Sequence, residues 1–307
     1  MTRTCIEMAH TDMARMTFDR RSFLIAGAAA AMLPLGAGIA AGQQRKELVL
    51  AFIPQENPEK LLGDAKIISA WLTKEVGVPV RGFVTADHAA AVEALRNGTA
   101  DISFMGALPY VLANRQVGAT IVLAEVYRGK AEYTGRIFER TDSKITQLSD
   151  LKGKTIAFAD PISESGYLYP LDTFVEAGLL KRGEDPRRFF GRVFFAGGYQ
   201  QAIQAMVAGL VDAAGVSQYA DLLLLPAQQA EVKWIAESRA IPSHTVIARK
   251  DLDPGLQSRF VAAMLKLNEP QFSALLKHVY SPDGYVVPDP SAYDDVRELA
   301  KAYGLLR

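Results

Sequence analysis

"AAVEALRNGTADISFMG" (90–106) and "QAIQAMVAGLVDAAGVS" (201–217) align with each other without a gap. Each stretch has the periodic apolar residues of a helix, a glycine that ends the helix, and an aspartate that leads into a strand-like run. The matching pairs are Ala91/Ala202, Val92/Ile203, Ala94/Ala205, Gly98/Gly209 and Asp101/Asp212. Ala-rich helices that end at glycine are common, so chance similarity is one interpretation. The other is a true repeat, which predicts two lobes of similar topology that share a cleft.

Strand and helix signals alternate on both sides of the repeat. "ELVLAFI" (47–53) is a buried-strand pattern, and "PEKLLGDAKIISAWLTKEVG" (58–77) has the spacing of a helix that stops at glycine. After Asp150 the order begins again, with "KTIAFA" (154–159) as a strand and "YPLDTFVEAGLL" (169–180) as a helix. This alternation predicts an α/β fold with a mainly parallel sheet in each half.

Two short strands followed by charged residues are candidates for the connections between the lobes. They are "YTGRIFERTDS" (133–143) and "SHTVIARKDL" (243–252), and they bracket the second half. We therefore expect one lobe from residues 45–138 plus 243–307 and the other from 139–242. A ligand is expected in the cleft between them, since open α/β sheets bind at the carboxyl ends of their strands.

Composition excludes several classes of protein. The 307-residue chain has 34 basic and 34 acidic residues, so nothing indicates a nucleic-acid partner. Its one cysteine, Cys5, allows no internal disulfide, and the four histidines lack metal-ligand spacing. No nucleophile elbow and no nucleotide-type phosphate loop is present in the part expected to fold. We therefore expect no enzyme activity, no metal and no cofactor, and we expect the acids Glu125 and Glu132 to be solvated.

The N-terminus has the pattern of an export signal. "TFDRRSFLIAGAAAAMLPLGAGIAAG" (17–42) pairs Arg20 and Arg21 ahead of an uncharged, weakly hydrophobic run with small residues near Ala40. The pattern predicts a twin-arginine signal over residues 1–42 and a periplasmic protein. A retained membrane anchor is the alternative, although such an anchor would usually carry more Leu, Ile and Phe.

The loop "DPISESGYLYP" (160–170) is the strongest candidate for ligand binding. Ser163, Ser165 and Gly166 precede a helix start, where backbone N–H groups and hydroxyls can hold an anion. A simple helix cap is the alternative. Glu164 complicates the loop, because a carboxylate beside a bound dianion costs free energy unless one of them is protonated. Its side chain is expected to face solvent, to accept a hydrogen bond from a protonated ligand oxygen, or to pair with a cationic or hydroxyl group.

The same loop resembles the "DP-x-S-x-SGYL-x-P" signature of the periplasmic binding components of phosphate, phosphite and phosphonate ABC transporters. "ADISFMGALPYVLA" (100–113), "DLKGKTIAFADP" (150–161) and "IPSHTVIARKDL" (241–252) are similar to further segments of that family. The resemblance runs from about Leu48 to about Leu265. It implies a type II periplasmic binding protein fold, with two α/β lobes joined by two linker strands around a cleft. It also implies a small phosphorus oxyanion or phosphonate as ligand and a membrane permease as partner.

The resemblance also implies ligand positions, several of which carry other residues here. Tyr133 is kept, whereas His88, Tyr199 and His244 stand where the family usually has Tyr, His and Asp, and a further position falls near Tyr219. In binders of aminoalkyl phosphonates, acids at the last two positions hold the ammonium group, so their loss here argues against that ligand class. His244 either contacts the ligand or only braces the linker.

A second hypothesis keeps the fold and changes the ligand. Tyr110, Tyr133, Tyr167 and Tyr199 could line a cleft for a small organic acid, a sulfonate or an aromatic compound. A third hypothesis is a ligand sensor that docks on a membrane receptor. In each case we expect a monomer.

Overall fold

The computed structural model describes residues 47–306, and the twin-arginine signal expected at 1–42 lies outside this range. The thirteen strands described are β1 (Leu48–Phe52), β2 (Val80–Val84), β3 (Ile102–Met105), β4 (Thr120–Val126), β5 (Glu132–Tyr133), β6 (Gly135–Arg140), β7 (Thr155–Phe158), β8 (Arg192–Phe195), β9 (Ala213–Ser217), β10 (Val232–Glu237), β11 (Ile241–Pro242), β12 (Thr245–Ala248) and β13 (Gly284–Val286). The α-helices are α1 (Pro58–Val76), α2 (His88–Arg96), α3 (Ala107–Val117), α4 (Tyr169–Glu176), α5 (Tyr199–Val207), α6 (Pro226–Gln229), α7 (Pro254–Lys266) and α8 (Asp294–Ala302).

Two large sheets define two lobes. The first sheet has the order β13-β4-β12-β3-β1-β2, and the second has the order β10-β6-β9-β7-β8. In each sheet three strands are parallel, namely β2-β1-β3 in the first and β8-β7-β9 in the second. The sheets are mixed, so the expectation of mainly parallel sheets was wrong. In each sheet an antiparallel strand lies next to the parallel set: β12 pairs with β3, and β6 pairs with β9. Both strands come directly after the segments that connect the lobes.

The internal repeat seen in the sequence is confirmed in the structure. Asp101 accepts a hydrogen bond from the backbone N–H of Val49 at 2.9 Å, and Asp212 accepts one from Thr155 N–H at 2.7 Å. Each aspartate thus fixes the first strand of its own parallel set. Gly98 and Gly209 both have φ +72°, a left-handed conformation that glycine adopts at little cost.

The chain crosses between the lobes through a two-stranded ribbon. Strand β5 pairs antiparallel with β11, with Tyr133 opposite Ile241. The second sheet begins immediately after this ribbon, at Gly135, which is ahead of the boundary expected after residue 138. Both crossings are therefore short and lie side by side.

Three of the helices, α1, α2 and α7, start with a side-chain cap of their own. Asn57 accepts hydrogen bonds from Glu59 N–H and Lys60 N–H at the start of α1, and Asp87 caps α2. Helices α3 and α5 start instead at Gly106 and Gly198, which have no side chain to do this. N–H groups at these two helix starts donate hydrogen bonds to the other lobe, Leu108 N–H to Glu164 and Tyr199 N–H to the Gln55 carbonyl.

The two lobes also meet on the side of the C-terminal helix. Tyr169 donates a hydrogen bond to Asp295 at 2.7 Å, and Arg239 bridges Asp172 and Asp295. Within residues 47–306, no helix combines the length and the apolar character needed to cross a membrane.

Candidate functional site

The serine loop crosses from β7 to α4 at the boundary of the lobes. A single π-helical turn, Glu164–Leu168, joins the two elements, and Ser163 caps it by accepting a hydrogen bond from Gly166 N–H at 3.0 Å. The side chains of Ser163, Glu164 and Ser165 are all fully buried. The loop therefore turns its polar groups into the protein.

The Glu164 carboxylate is bound at the N-terminus of α3, which belongs to the other lobe. Its Oε2 accepts a hydrogen bond from Leu108 N–H at 3.2 Å, and its Oε1 accepts one from the Tyr133 hydroxyl at 2.7 Å. His244 Nε2 lies 3.4 Å from the same Oε1. Glu164 thus supplies the cap that Gly106 cannot give. The possibility that Glu164 faces solvent was wrong, because these three partners hold it inside.

Gly106 makes room for this carboxylate. A Cβ atom at position 106 would lie 2.2 Å from Oε1 and 2.3 Å from Oε2 of Glu164. The close approach of the carboxylate to the backbone therefore requires glycine at this position.

The hydroxyl groups beside Glu164 form one connected set. The Tyr133 hydroxyl lies 3.0 Å from Ser165 Oγ, and Ser165 Oγ lies 2.9 Å from the Tyr199 hydroxyl. The Tyr199 hydroxyl in turn lies 3.2 Å from His244 Nε2. Because these side chains are all buried, each hydroxyl relies on its neighbours for hydrogen bonding.

His244 lies between two buried carboxylates. Burial works against a charge on His244, but Glu164 and Glu125 raise its pKa above the ordinary value. For Glu164, the opposing effect of burial is outweighed by the hydrogen bonds of His244 and Tyr133, which lower its pKa to about 2. We conclude that Glu164 is ionised and pairs with His244.

Glu125 is buried, so the expectation that it is solvated was wrong. Glu125 lies near the end of β4, and its side chain points into the protein. Burial raises its pKa to about 7, although His244 and a hydrogen bond from Tyr127 both act to lower it. Its Oε1 has no hydrogen-bond partner among the described residues. Glu132, the other acid expected to be solvated, is about half exposed.

A cavity of about 440 Å³ opens between the lobes beside this cluster. Residues of both lobes and of the ribbon line it: Gln55, Glu56, Lys60, Tyr127, Arg128, Tyr133, Tyr199, Ser217, Tyr219, Ala220, Leu222, Leu223, His244, Tyr280, Ser281 and Asp283. The volume falls within the range of pockets that hold organic ligands, roughly 300–1,000 Å³. Five tyrosines are part of this lining, and they offer a ligand both apolar ring surfaces and polar hydroxyl groups.

The residues singled out in the sequence fall into two groups. Tyr133, Tyr199, Tyr219 and His244 line the cavity. Ser163, Glu164, Ser165 and Gly166 lie behind that lining, linked to it through Tyr133, Tyr199 and His244.

His88 and Tyr110 do not line the cavity. His88 is buried at the start of α2, and burial lowers its pKa. Tyr110 packs edge-to-face on Tyr293, at 5.1 Å between ring centroids, and accepts a hydrogen bond from Arg297 of α8. Tyr167, named for the aromatic alternative, packs on Phe158 and Phe195 instead.

Sequence reasoning missed part of the lining. Gln55 follows β1, Tyr127 and Arg128 follow β4, and Tyr280 comes from the segment before β13. The position of Gln55 and Tyr127 at the carboxyl ends of strands is the signal that could have identified them. Tyr280 offers no comparable signal. Among the described residues, no group of His, Cys, Asp and Glu could hold a metal ion.

This architecture, two α/β lobes joined by a short ribbon with a cavity between them, is that of a solute-binding protein. Comparison with known families makes the assignment specific. A family model described as "ABC transporter, phosphonate, periplasmic substrate-binding protein" matches residues 50–293. The chain belongs to this family, which consists of substrate-binding proteins of transporters and not of enzymes.

Individual relatives agree with this. The phosphate-import protein PhnD of Mycolicibacterium smegmatis is 32% identical over 171 residues, which cover 54% of this chain and 53% of the relative. The match thus spans about half the length of that protein. Methylphosphonate-bound PhnD1 of Prochlorococcus marinus has a TM-score of 0.75 at 18% identity, over 84% of this chain and 98% of that one.

A binding protein component of an ABC phosphonate transporter from Pseudomonas aeruginosa is similar in the same way. It has a TM-score of 0.74 at 21% identity, and the match covers 82% of this chain and 85% of that one. At such identities the two structural matches establish the fold alone, which has two lobes as in periplasmic binding proteins.

Proposed function

We propose that this protein captures a small phosphorus oxyanion or phosphonate between its lobes and delivers it to a membrane ABC permease. One observation carries the proposal: in a chain of this family, a cavity of about 440 Å³ is lined by both lobes and by the ribbon that joins them. A ligand that contacts both lobes stabilises their closed arrangement, which is the form a permease can distinguish from the open one. The named relatives, which import phosphate or bind methylphosphonate, support this ligand class.

Further parts of the proposal rest on the sequence pattern. The protein is exported to the periplasm by the twin-arginine signal at residues 1–42, works as a monomer, and has no catalytic activity, cofactor or nucleic-acid partner. Residues 45–138 with 243–307 form one lobe and 139–242 the other, apart from the start of β6. Tyr133, Tyr199, Tyr219 and His244 contact the ligand, since they line the cavity.

A thermal-shift panel on the mature protein tests the ligand class. It contains phosphate, phosphite, methylphosphonate, aminoethylphosphonate, phenylphosphonate, arsenate, sulfonates and carboxylates. A ligand at a hundred times its Kd stabilises the folded state by about 2.7 kcal/mol, which gives a clear rise in Tm. A response to sulfonates or carboxylates, with none to any phosphorus compound, would show that the ligand class is wrong.

The tyrosine lining favours a second candidate, an organic acid or aromatic ligand in the same fold. Tyr127 and Tyr219 lie 5.2 Å apart with their planes at 31°, and Arg128 lies 5.5 Å above the Tyr219 ring. Flat organic ligands bind well to such surfaces. The carboxylates and sulfonates of the same panel test it directly.

A further inference from the structure

The seat of the Glu164 carboxylate has the chemistry of an oxyanion site. We define the carboxylate seat as Leu108 N–H, the Tyr133 hydroxyl and His244 Nε2, which approach the carboxylate at 3.2, 2.7 and 3.4 Å. All three are donors, and Leu108 N–H belongs to the first turn of the eleven-residue helix α3, whose N-cap residue, Gly106, has no side chain to cap it. A helix N-terminus combined with hydroxyl and imidazole donors is a common way to bind a free anion.

The group in this seat is part of the chain. Glu164 reaches it from the other lobe and is completely buried there, with Gly106 leaving room for the carboxylate and for no added methyl group. A free oxyanion could enter only by displacing the carboxylate. Any anion bound beside it would meet a like charge in a water-poor environment.

The serine hydroxyls next to the seat are also occupied. Ser163 Oγ accepts a hydrogen bond from Gly166 N–H, and Ser165 Oγ lies within hydrogen-bonding distance of Tyr133 and Tyr199. Neither serine lines the cavity. The loop therefore presents no free hydroxyl to a ligand in the cavity.

We propose that Glu164 is a built-in anion that fills the carboxylate seat, and that the protein consequently selects phosphonates with an organic substituent over inorganic and methyl oxyanions. The second half of this statement rests on the proposed function. A phosphate or methylphosphonate ion is small and would depend on the seat for most of its contacts. A larger phosphonate has the tyrosine wall for its substituent and other donors for its oxygens.

Those other donors lie in the cavity lining. Gln55 is buried, and its Nε2 makes no well-formed hydrogen bond within residues 47–306. Arg128 lies over the Tyr219 ring. Lys60, about half exposed, is on the same lining and is ion-paired with Glu56 and Asp64. The buried Gln55 amide has two N–H donors and lies beside the Tyr280 hydroxyl, so it can donate to a ligand oxygen and favours an acceptor group on the ligand.

Three variants and two kinds of probe test the proposal. Glu164→Ser empties the seat, Glu164→Gln keeps it filled without the charge, and Glu139→Gln is a control that changes a buried glutamate paired with Lys233 in the second lobe. Titration calorimetry and Tm are measured with phosphate, methylphosphonate and formate, which fit the seat, and with phenylphosphonate, which also fits the cavity. If Glu164→Ser is unstable, recovery of its Tm by added phosphate or formate is itself the readout.

We expect wild type and Glu139→Gln to bind phenylphosphonate and to show at least ten-fold weaker binding of phosphate and methylphosphonate. Glu164→Ser is expected to gain at least ten-fold in affinity for phosphate, methylphosphonate or formate, whereas Glu164→Gln gains little. The proposal is overturned if wild type binds methylphosphonate as tightly as Glu164→Ser does. A gain in Glu164→Ser, with no phosphorus compound bound by wild type, keeps the assignment of the seat and overturns the proposed function.

Discussion

Glu125 is a buried carboxylic acid, one oxygen of which has no hydrogen-bond partner within residues 47–306, and this has a consequence for stability. Burial raises its pKa from an ordinary 4.5 to about 7, so the folded state holds the proton more tightly than the unfolded state. Stability from this group is fully present below about pH 4.5 and is lost as the pH rises through 7. The loss amounts to about 3 kcal/mol. His244, whose pKa is also raised, acts in the same direction.

We expect Glu125→Gln to flatten the dependence of unfolding free energy on pH between 5 and 8. Urea unfolding at several pH values measures this. Glu132→Gln changes an exposed glutamate nearby and is the control, which should keep the slope of wild type. An unchanged slope in Glu125→Gln would contradict the buried, protonated state of Glu125.

Gly106 and Glu164 are coupled through space, since a Cβ at position 106 overlaps the carboxylate. We expect Gly106→Ala to lower the unfolding free energy by about 2 kcal/mol, the usual cost of inserting a methyl group where there is no room. In a Glu164→Ala background the same change should cost much less, because the overlapping atoms are gone. A double-mutant cycle by urea unfolding measures the coupling, and additive effects would refute it.

Asp101 and Asp212, the equivalent aspartates of the two repeat copies, show how the repeat stabilises each lobe. Asp212 binds both the backbone N–H and the hydroxyl of Thr155 at 2.7 Å, which ties β9 to the start of β7. The aligned sequences indicated an aspartate before each strand but not its partner, because Thr155 lies outside the aligned unit, 57 residues from Asp212 along the chain.

Replacing Asp212 should leave the Thr155 N–H, at the start of β7 in the second sheet, without its hydrogen-bond partner. We expect Asp212→Ala to cost about 1–3 kcal/mol of unfolding free energy. Asp251→Ala, at an exposed position in the turn before α7, serves as the control and should change stability by less than about 0.5 kcal/mol. Equal effects of the two variants would show that the Asp212 contact contributes little.

The elements that were predictable and those that were not differ in a physical way. Helix α1 and strand β7 carry their own periodicity and stop signals, so their sequences indicated them. Strands β6 and β12 carry no sign that they would lie in the interior of their sheets, beside the parallel strands, because that position depends on the crossing of the chain between lobes. Glu164 is similar: its sequence context indicated an anion site, but only the fold brings Gly106 of the other lobe to its carboxylate.

Each lobe supplies a hydrogen-bond acceptor for N–H groups at a helix start of the other lobe. Glu164 of the second lobe serves α3 of the first, and the Gln55 carbonyl of the first lobe accepts a hydrogen bond from Tyr199 N–H at the start of α5. Beside it, Gln200 Oε1 accepts a hydrogen bond from Asn57 N–H at 2.9 Å. These contacts favour closed lobes before any solute binds.

Removing the Gln200 contact should therefore shift the lobes toward the open arrangement. A hydrogen bond of this kind contributes about 1 kcal/mol, which corresponds to roughly a five-fold change in the ratio of closed to open molecules. We expect Gln200→Ala to have a larger radius of gyration by small-angle scattering than wild type without ligand. Gln204→Ala, one turn later on α5 and bonded to Gln228 within the same lobe, should not differ from wild type.

The central place of β12 in the first sheet bears on how the chain assembles. Strand β12 pairs with β3 on one side and β4 on the other, yet it follows both by more than a hundred residues. The strands of the second sheet come from one continuous stretch, residues 135–237. During synthesis the second lobe can therefore complete its sheet first, whereas β3 and β4 remain apart until Thr245–Ala248 arrives. Their open edges need protection from aggregation in that interval.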